Sequence, residues 1–230
     1  MKIKIKFLSI IIIVTSFSSV FGQIVNQPNY ALKSHETLEI LKVEIAPDKT
    51  ILYFSIENRI ERGTFCADRN IYLLDADGKK FELKKSAGIP TCPESYKFKS
   101  IGEKLSFTLE FPPLKPGTKW VDIIEDCSDN CFSFYGVTLD NDLNKKLNEA
   151  FALASKGKPA DNILLFKTIL DDIDSQNLGI EGLLYINIIN AAVEDANKVD
   201  AMVWYKRLGS SRAPRVDQYI KFLNDKGIKY

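Results

Sequence analysis

Residues 120–139, WVDIIEDCSDNCFSFYGVTL, constrain the fold more than any other stretch of the chain. Apolar residues alternate at both ends, and two cysteines, Cys127 and Cys131, stand four apart between them. Period-two alternation is the mark of a half-buried strand. The stretch therefore predicts a β-hairpin whose polar loop, residues 126–130, is stapled by its own cysteines. Immediately afterwards the period changes to 3.6. Leu143, Leu147, Ala150, Phe151 and Ala154 share one helical face, and Asp140 stands where a side chain accepts from free N–H groups of a first turn. A chain that changes period once, at this point, has strands before it and helices after it.

The residues before the hairpin read as a series of short strands. Leu38, Ile40, Val43 and Ile45 form the first, with a phase shift between Ile40 and Val43. Residues 51–56 are apolar on both faces, as a central strand must be. Residues 71–74 and 80–83 flank Asp77-Gly78, a hairpin turn in which glycine takes a positive φ without steric cost. Leu105, Phe107, Leu109 and Phe111 alternate cleanly until Pro112-Pro113 ends the ladder. Together with the hairpin this makes about seven strands at the turn spacing of an antiparallel β-sandwich of immunoglobulin-like type. No helix alternates with them, which argues against a parallel sheet. The predicted division is a sandwich over residues 36–139 and a helical part over residues 140–230, an α+β chain in two parts.

In the second part, Gly157 and Pro159 separate the first helix from another carrying Ile163, Phe166, Ile169, Leu170 and Ile173. A third helix carries Leu184, Ile188 and Ala191 or Ala192. Asn197 caps a fourth with Ala201, Met202, Tyr205 and Leu208, and a fifth carries Val216, Tyr219, Ile220 and Leu223, ending near Gly227.

Residues 1–22 read as a secretory signal peptide: Lys2, Lys4 and Lys6, then an apolar run through Val14, then Val20-Phe21-Gly22 before Gln23. The run is shorter than the ~20 residues of a bilayer-crossing helix, so no membrane span is expected after cleavage. Residues 23–35 lack a period and read as an exposed leader. Losing Lys2, Lys4 and Lys6 from 31 basic residues leaves 28 against 30 acidic ones, a net charge near −2. That balance excludes a basic nucleic-acid surface. Export directs the chain to an oxidising compartment, the periplasm foremost, with the extracellular space as the alternative.

Four cysteines in such a compartment read as disulfides. We expect Cys66 with Cys92 and Cys127 with Cys131. A zinc site is the alternative, since C-x₃-C is a ligand spacing, though Cys66 and Cys92 form no second close pair. Asp75 and Asp77, and again Asp140, Asp142 and Asn144, resemble fragments of calcium loops but lack the later ligands. His35 is the sole histidine, and no G-x-S-x-G turn occurs. No catalytic residue, cofactor motif or metal centre is therefore assigned.

The helices carry a resemblance. Ala201, Tyr205 and Leu208 stand at the offsets of the small and aromatic positions in the second helix of a tetratricopeptide-type repeat, and Asn162, Phe166 and Ile169 repeat those offsets 39 residues earlier. The interval departs from the family's 34 residues, and Ile189 occupies a place usually held by a small residue. Taken whole, the chain resembles secreted bacterial envelope proteins with an immunoglobulin-like sandwich followed by TPR-like hairpins. Stacked hairpins leave a concave surface for peptides or proteins, and sandwich loops offer a second. The expected function is a non-enzymatic interaction module for another envelope protein or peptide. Tyr185, Trp204, Lys206 and Arg207 are its candidate contacts, core packing being the competing role of Trp204. The alternative is carbohydrate handling: glycan binding by the sandwich, or weak hydrolysis by paired carboxylates such as Glu125-Asp126 or Asp171-Asp172.

The cleavage reading makes a direct prediction. Mass spectrometry of the exported protein should find Gln23 as its first residue; an intact Met1 terminus there would contradict it.

Overall fold

A computed structural model describes residues 22–173 and 176–230; the signal-peptide reading, apart from Gly22, falls outside them. In chain order the strands are β1 (Gln23–Asn26), β2 (Leu32–Lys33), β3 (Leu38–Ile45), β4 (Thr50–Glu57), β5 (Thr64–Phe65), β6 (Ile71–Asp75), β7 (Lys80–Glu82), β8 (Lys85–Ala87), β9 (Tyr96–Lys97), β10 (Lys104–Phe111), β11 (Trp120–Glu125) and β12 (Ser133–Thr138). Five helices follow: α1 (Asn141–Ala154), α2 (Pro159–Ile173), α3 (Glu181–Glu194), α4 (Lys198–Gly209) and α5 (Val216–Asp225). The chain is α+β, with antiparallel sheets first and helices second, as the change of period requires.

The strands form two five-stranded antiparallel sheets, β1-β3-β4-β10-β8 and β2-β12-β11-β6-β7, and a small pair, β5-β9. One apolar cluster draws on both large sheets. Phe54 of β4 stacks on Phe107 of β10 at 5.1 Å and reaches Phe132 and Phe134 from the other sheet at 6.1 and 6.0 Å. Each such ring buries a large apolar area in the core. The phase shift seen in the sequence is a bulge in β3 between Ile40 and Lys42. The 120–139 stretch is the β11–β12 hairpin.

The exposed leader needs correction. Within residues 23–35, β1 pairs with β3 and β2 pairs with β12, while Val25 and Ala31 are buried. Strands of four and two residues are too short to display a period, and both lie at sheet edges, where only one neighbour dictates their sequence.

Both expected disulfides are present, Cys66–Cys92 with Cα atoms 5.3 Å apart and Cys127–Cys131 with 5.6 Å. No thiol is left as a zinc ligand. Two disulfides suit an oxidising, exported environment, and among the described residues no helix is long and apolar enough to cross a membrane. Glu125 joins the two bridged regions. Its oxygens accept from Asp68 N at 2.8 Å, beside Cys66, and from Phe132 N at 2.9 Å, beside Cys131. Burial pushes its carboxyl above the usual range, against the pull of those two donors.

The helices begin where their caps put them. Asp140 accepts from Asp142 N and Leu143 N at 3.0 and 3.1 Å, and Asn197 accepts from Asp200 N at 3.1 Å. The Lys119 ammonium, 2.8 Å from Asp140, holds that cap's carboxyl below its ordinary value. Pro159 opens α2, and α2 packs on α3, α3 on α4 and α5. Their apolar faces form a second cluster.

The two parts meet along a fitted seam. Trp120 Nε1 donates to Asn177 O at 2.8 Å. Asn29 N and Nδ2 donate to Asn144 Oδ1 at 2.7 and 2.9 Å, and Asn144 Nδ2 donates to Thr138 O at 3.0 Å. Gly136 on β12 has a φ of 62°, and a Cβ there would overlap the Gly179 carbonyl oxygen. Backbone therefore lies on backbone, which only glycine permits.

The two bridges close loops of different length, 26 and 4 residues apart in sequence. Chain-entropy reasoning puts their stabilisation at about 3.5 and about 2 kcal/mol. Replacing Cys66 and Cys92 by serine should lower stability more than replacing Cys127 and Cys131. Paired denaturant titrations check this; the reverse order would show that strain or residual denatured-state structure dominates.

Candidate functional site

A cleft of about 690 Å³ opens where the α2–α3 loop, α3, the end of α4 and the α4–α5 loop meet. Asn177, Glu181, Tyr185, Arg207 and residues 210–213 line it. It sits at helix ends, on the side where Trp120 of β11 grips Asn177.

Each wall has a local cause. Glu181 is the first residue of α3, and Ile180 before it offers no side-chain cap. Glu181 Oε1 instead accepts from Leu178 N at 2.6 Å, so the carboxylate satisfies a donor ahead of its own helix. Tyr185 follows four residues later on the same face. Gly182 lies between them because α5 packs there: a Cβ would overlap the Tyr219 ring. Burial raises the Tyr219 phenol above its ordinary value, and the nearby Arg215 charge only partly offsets this.

Trp204 and Arg207 are one turn apart on α4. The guanidinium stacks over the indole at 4.8 Å, and Tyr185 packs against the same indole at 6.1 Å between centroids. Arg207 lies 3.8 Å from Asp171, whose nearer partner is Lys167 at 2.9 Å. Beyond α4 the loop folds back on the helix end. Ser210 Oγ donates to Lys206 O and Arg207 O at 3.1 and 3.2 Å, Ser211 Oγ donates to Leu208 O at 2.8 Å, and Ala213 N donates to Ser211 Oγ at 3.3 Å.

The loop then reaches Arg215, whose φ is 62°. A left-handed arginine is uncommon and persists where its surroundings hold it. Here its guanidinium pairs with Asp122, which is fully buried on β11. It also faces the rings of Tyr135 at 5.1 Å and Trp120 at 5.7 Å. The second oxygen of Asp122 accepts from Gly136 N at 2.9 Å. The same loop is thus a wall of the cleft and an anchor onto the sheets.

Of the four contact residues expected from sequence, Tyr185 and Arg207 line the cleft, Trp204 lies beneath Arg207, and Lys206 stands exposed outside it. Tyr185 and Trp204 are not exposed contacts: 1% and 7% of their surface is accessible. Helix α3 is enclosed by α2, α4 and α5, so nearly every face of it is buried. Sequence reasoning missed Arg212, the serine pair and the Asp122–Arg215 link. The one available clue was Asp122 itself, an acid in an otherwise apolar strand.

The carboxylate pairs proposed for sugar chemistry do not converge. Glu125 is buried and bound to two backbone donors, whereas Asp126 is exposed. Asp171 pairs with Lys167 and Asp172 with Lys146 on an exposed helix face. Asp75 Oδ1 caps its own turn, accepting from Asp77 N and Lys79 N. Among the described residues no three His, Cys, Asp or Glu side chains are grouped to hold a metal ion. A shallower apolar groove between α1 and α2, about 480 Å³, exposes Leu153 and Leu164. No protein-family model, curated protein or solved structure matches this chain.

The Asp122–Arg215 pair yields a prediction. Arg215→Gln leaves a buried carboxylate with no opposite charge, which costs about 3–5 kcal/mol. A denaturant titration checks this. A loss below about 1 kcal/mol would mean that solvent reaches Asp122 and the pair is an ordinary surface contact.

Proposed function

We propose that this protein is an exported, non-enzymatic interaction module of the bacterial envelope. In this reading it works in the periplasm and grips another envelope protein or peptide. Its strands form an immunoglobulin-like sandwich, and its helices form TPR-like hairpins. Support for the sandwich comes from two antiparallel sheets sharing one apolar cluster. Support for the hairpins comes from Phe166, Ile169, Ala201, Tyr205 and Leu208, the residues at the repeat offsets, which are all core positions. Asn162, at the remaining offset, donates to Ala154 O at 3.0 Å and so tethers the end of α1.

The observation that carries the proposal is the cleft at residues 207–213. Its walls are fixed by ordered contacts, and its loop is bound to the sheets through Arg215. A pre-formed recess binds without the entropic cost of ordering a loop. Glycan binding by the described surface is less well supported, because Trp204 and Tyr185, the rings nearest the cleft, are buried edge and face by protein.

The immobilised mature protein should retain a specific partner from the periplasmic fraction. Arg207→Ala together with Arg212→Ala should release it, while a distant pair, Lys79→Ala with Glu82→Ala, should not. If nothing is retained, or if the cleft variant retains the same partner as strongly, the module reading in this form fails.

A further inference from the structure

We propose that the cleft is an oxyanion site that takes a carboxylate side chain of an extended peptide, with Arg207 and Arg212 supplying the donors. The proposal rests on the interaction-module reading and names the chemistry of its partner.

The argument is an inventory of donors and acceptors. Both serine hydroxyls are spent inward, on Lys206 O, Arg207 O and Leu208 O. The Asn177 carbonyl is taken by Trp120. Glu181 is almost wholly buried and engaged by Leu178 N. What remains is mostly N–H. Arg207 has five donors and, among the described residues, one acidic partner, Asp171 at 3.8 Å, itself held more closely by Lys167. Arg212 is exposed and makes no ion pair or side-chain hydrogen bond among the described residues. A recess whose free polar capacity is donor-rich and cationic is complementary to an anionic acceptor.

Geometry favours arginine in this role. A guanidinium presents a planar fork that matches a carboxylate with two parallel hydrogen bonds. The Arg207 guanidinium also lies over the indole of Trp204 at 4.8 Å, a contact that restricts its rotamers before binding. Charge then selects among anions. Asp171 flanks Arg207, and Glu181 lies on the cleft wall. Their repulsion doubles for a doubly charged phosphate and is least for a single carboxylate. The volume, about 690 Å³, lies within the range of ordinary ligand pockets and leaves room for flanking main chain beside Tyr185 and Ala213.

The test uses the exported full chain on an array of random dodecapeptides. Each peptide is printed twice, once as synthesised and once with every Asp and Glu replaced by Asn and Gln. Acidic sequences should dominate the hits, and their neutral twins should bind at least about tenfold more weakly, the loss of one charge-assisted contact. Arg207→Gln and Arg212→Gln should each lower binding by about the same factor, Arg207→Lys should fall between, and added salt should weaken all acidic hits. Thermal melts of the exposed Arg212→Gln variant separate a binding defect from misfolding. Inorganic phosphate should compete no better than acetate; stronger competition by phosphate would overturn the carboxylate assignment. Equal binding of neutral twins, or an Arg207→Gln/Arg212→Gln double variant that binds like the parent, would also overturn it. In that event a partner still retained from the periplasmic fraction would leave the module reading standing. An array without hits and a fraction without a retained partner would remove both.

Discussion

The rest of the structure depends on the ion pair between Asp122 and Arg215. Through it a charge from the helical part meets a fully buried charge of the sheet part. Asp122 is fully buried in β11, with one oxygen on Gly136 N and the other facing the guanidinium. An isolated buried carboxylate is costly, so the folded position of Asp122 calls for the loop after α4 to bring Arg215 against it. The pair therefore acts more as a specification of docking than as net stabilisation, since apolar replacements of buried ion pairs are often neutral or better. The surrounding contacts repeat the same requirement. Trp120 Nε1 needs Asn177 O, and the Gly136 backbone needs the Gly179 backbone within contact. Three independent features of one hairpin thus select a single placement of the helices.

A second constraint works within the strands. The 126–131 loop is polar and has little to bury before Phe132, and the long segment before β10 is anchored to the core at few points, Ile89 and Phe98. Each has a disulfide, and Glu125 links the two through backbone N–H groups on either side. Burial raises that carboxyl's folded-state pKa above its unfolded value. The sign follows: its contribution is greatest below the unfolded pKa and is lost as pH rises through the folded one. Two N–H donors moderate this cost, which is why a carboxylate is tolerated where an unbonded one is not.

Long elements were legible and short ones were not. The strands at 38–45, 50–57, 104–111 and 120–125, the bulge in β3, the caps Asp140 and Asn197 and both disulfides all have local signatures. Period, capping chemistry and cysteine spacing write them into the chain directly. β1, β2, β5, β8 and β9 span two to four residues, less than two turns of any pattern, and exist because a neighbouring strand offers a ladder. The site divides in the same way. Arg207 was visible as a polar residue beside a core tryptophan. Arg215 was not distinguishable from other loop cations, because its partners Asp122, Trp120 and Tyr135 stand some 80 to 95 positions earlier, and Arg212 has no local signature at all.

The contrast between interior and cleft is the last step. In the seam and under the disulfides the polar contacts are made by short means: an asparagine pair, a carboxylate on two amides and a close approach of backbone at a glycine. Ser210, Ser211 and Ala213 are tied back to the end of α4 by their own hydrogen bonds. Against that background Arg212 stands out, an exposed arginine that makes no ion pair or side-chain hydrogen bond among the described residues. Arg207 is only half used, yet it rests over an aromatic ring. Rigid walls with unspent donors are what recognition requires: the ordering cost is met during folding, and the remaining hydrogen-bonding capacity is available to a second molecule. The same loop runs on from Arg212 to Arg215, where its guanidinium meets Asp122, so a wall of the cleft and the anchor of the helices onto the sheets belong to one short segment of chain.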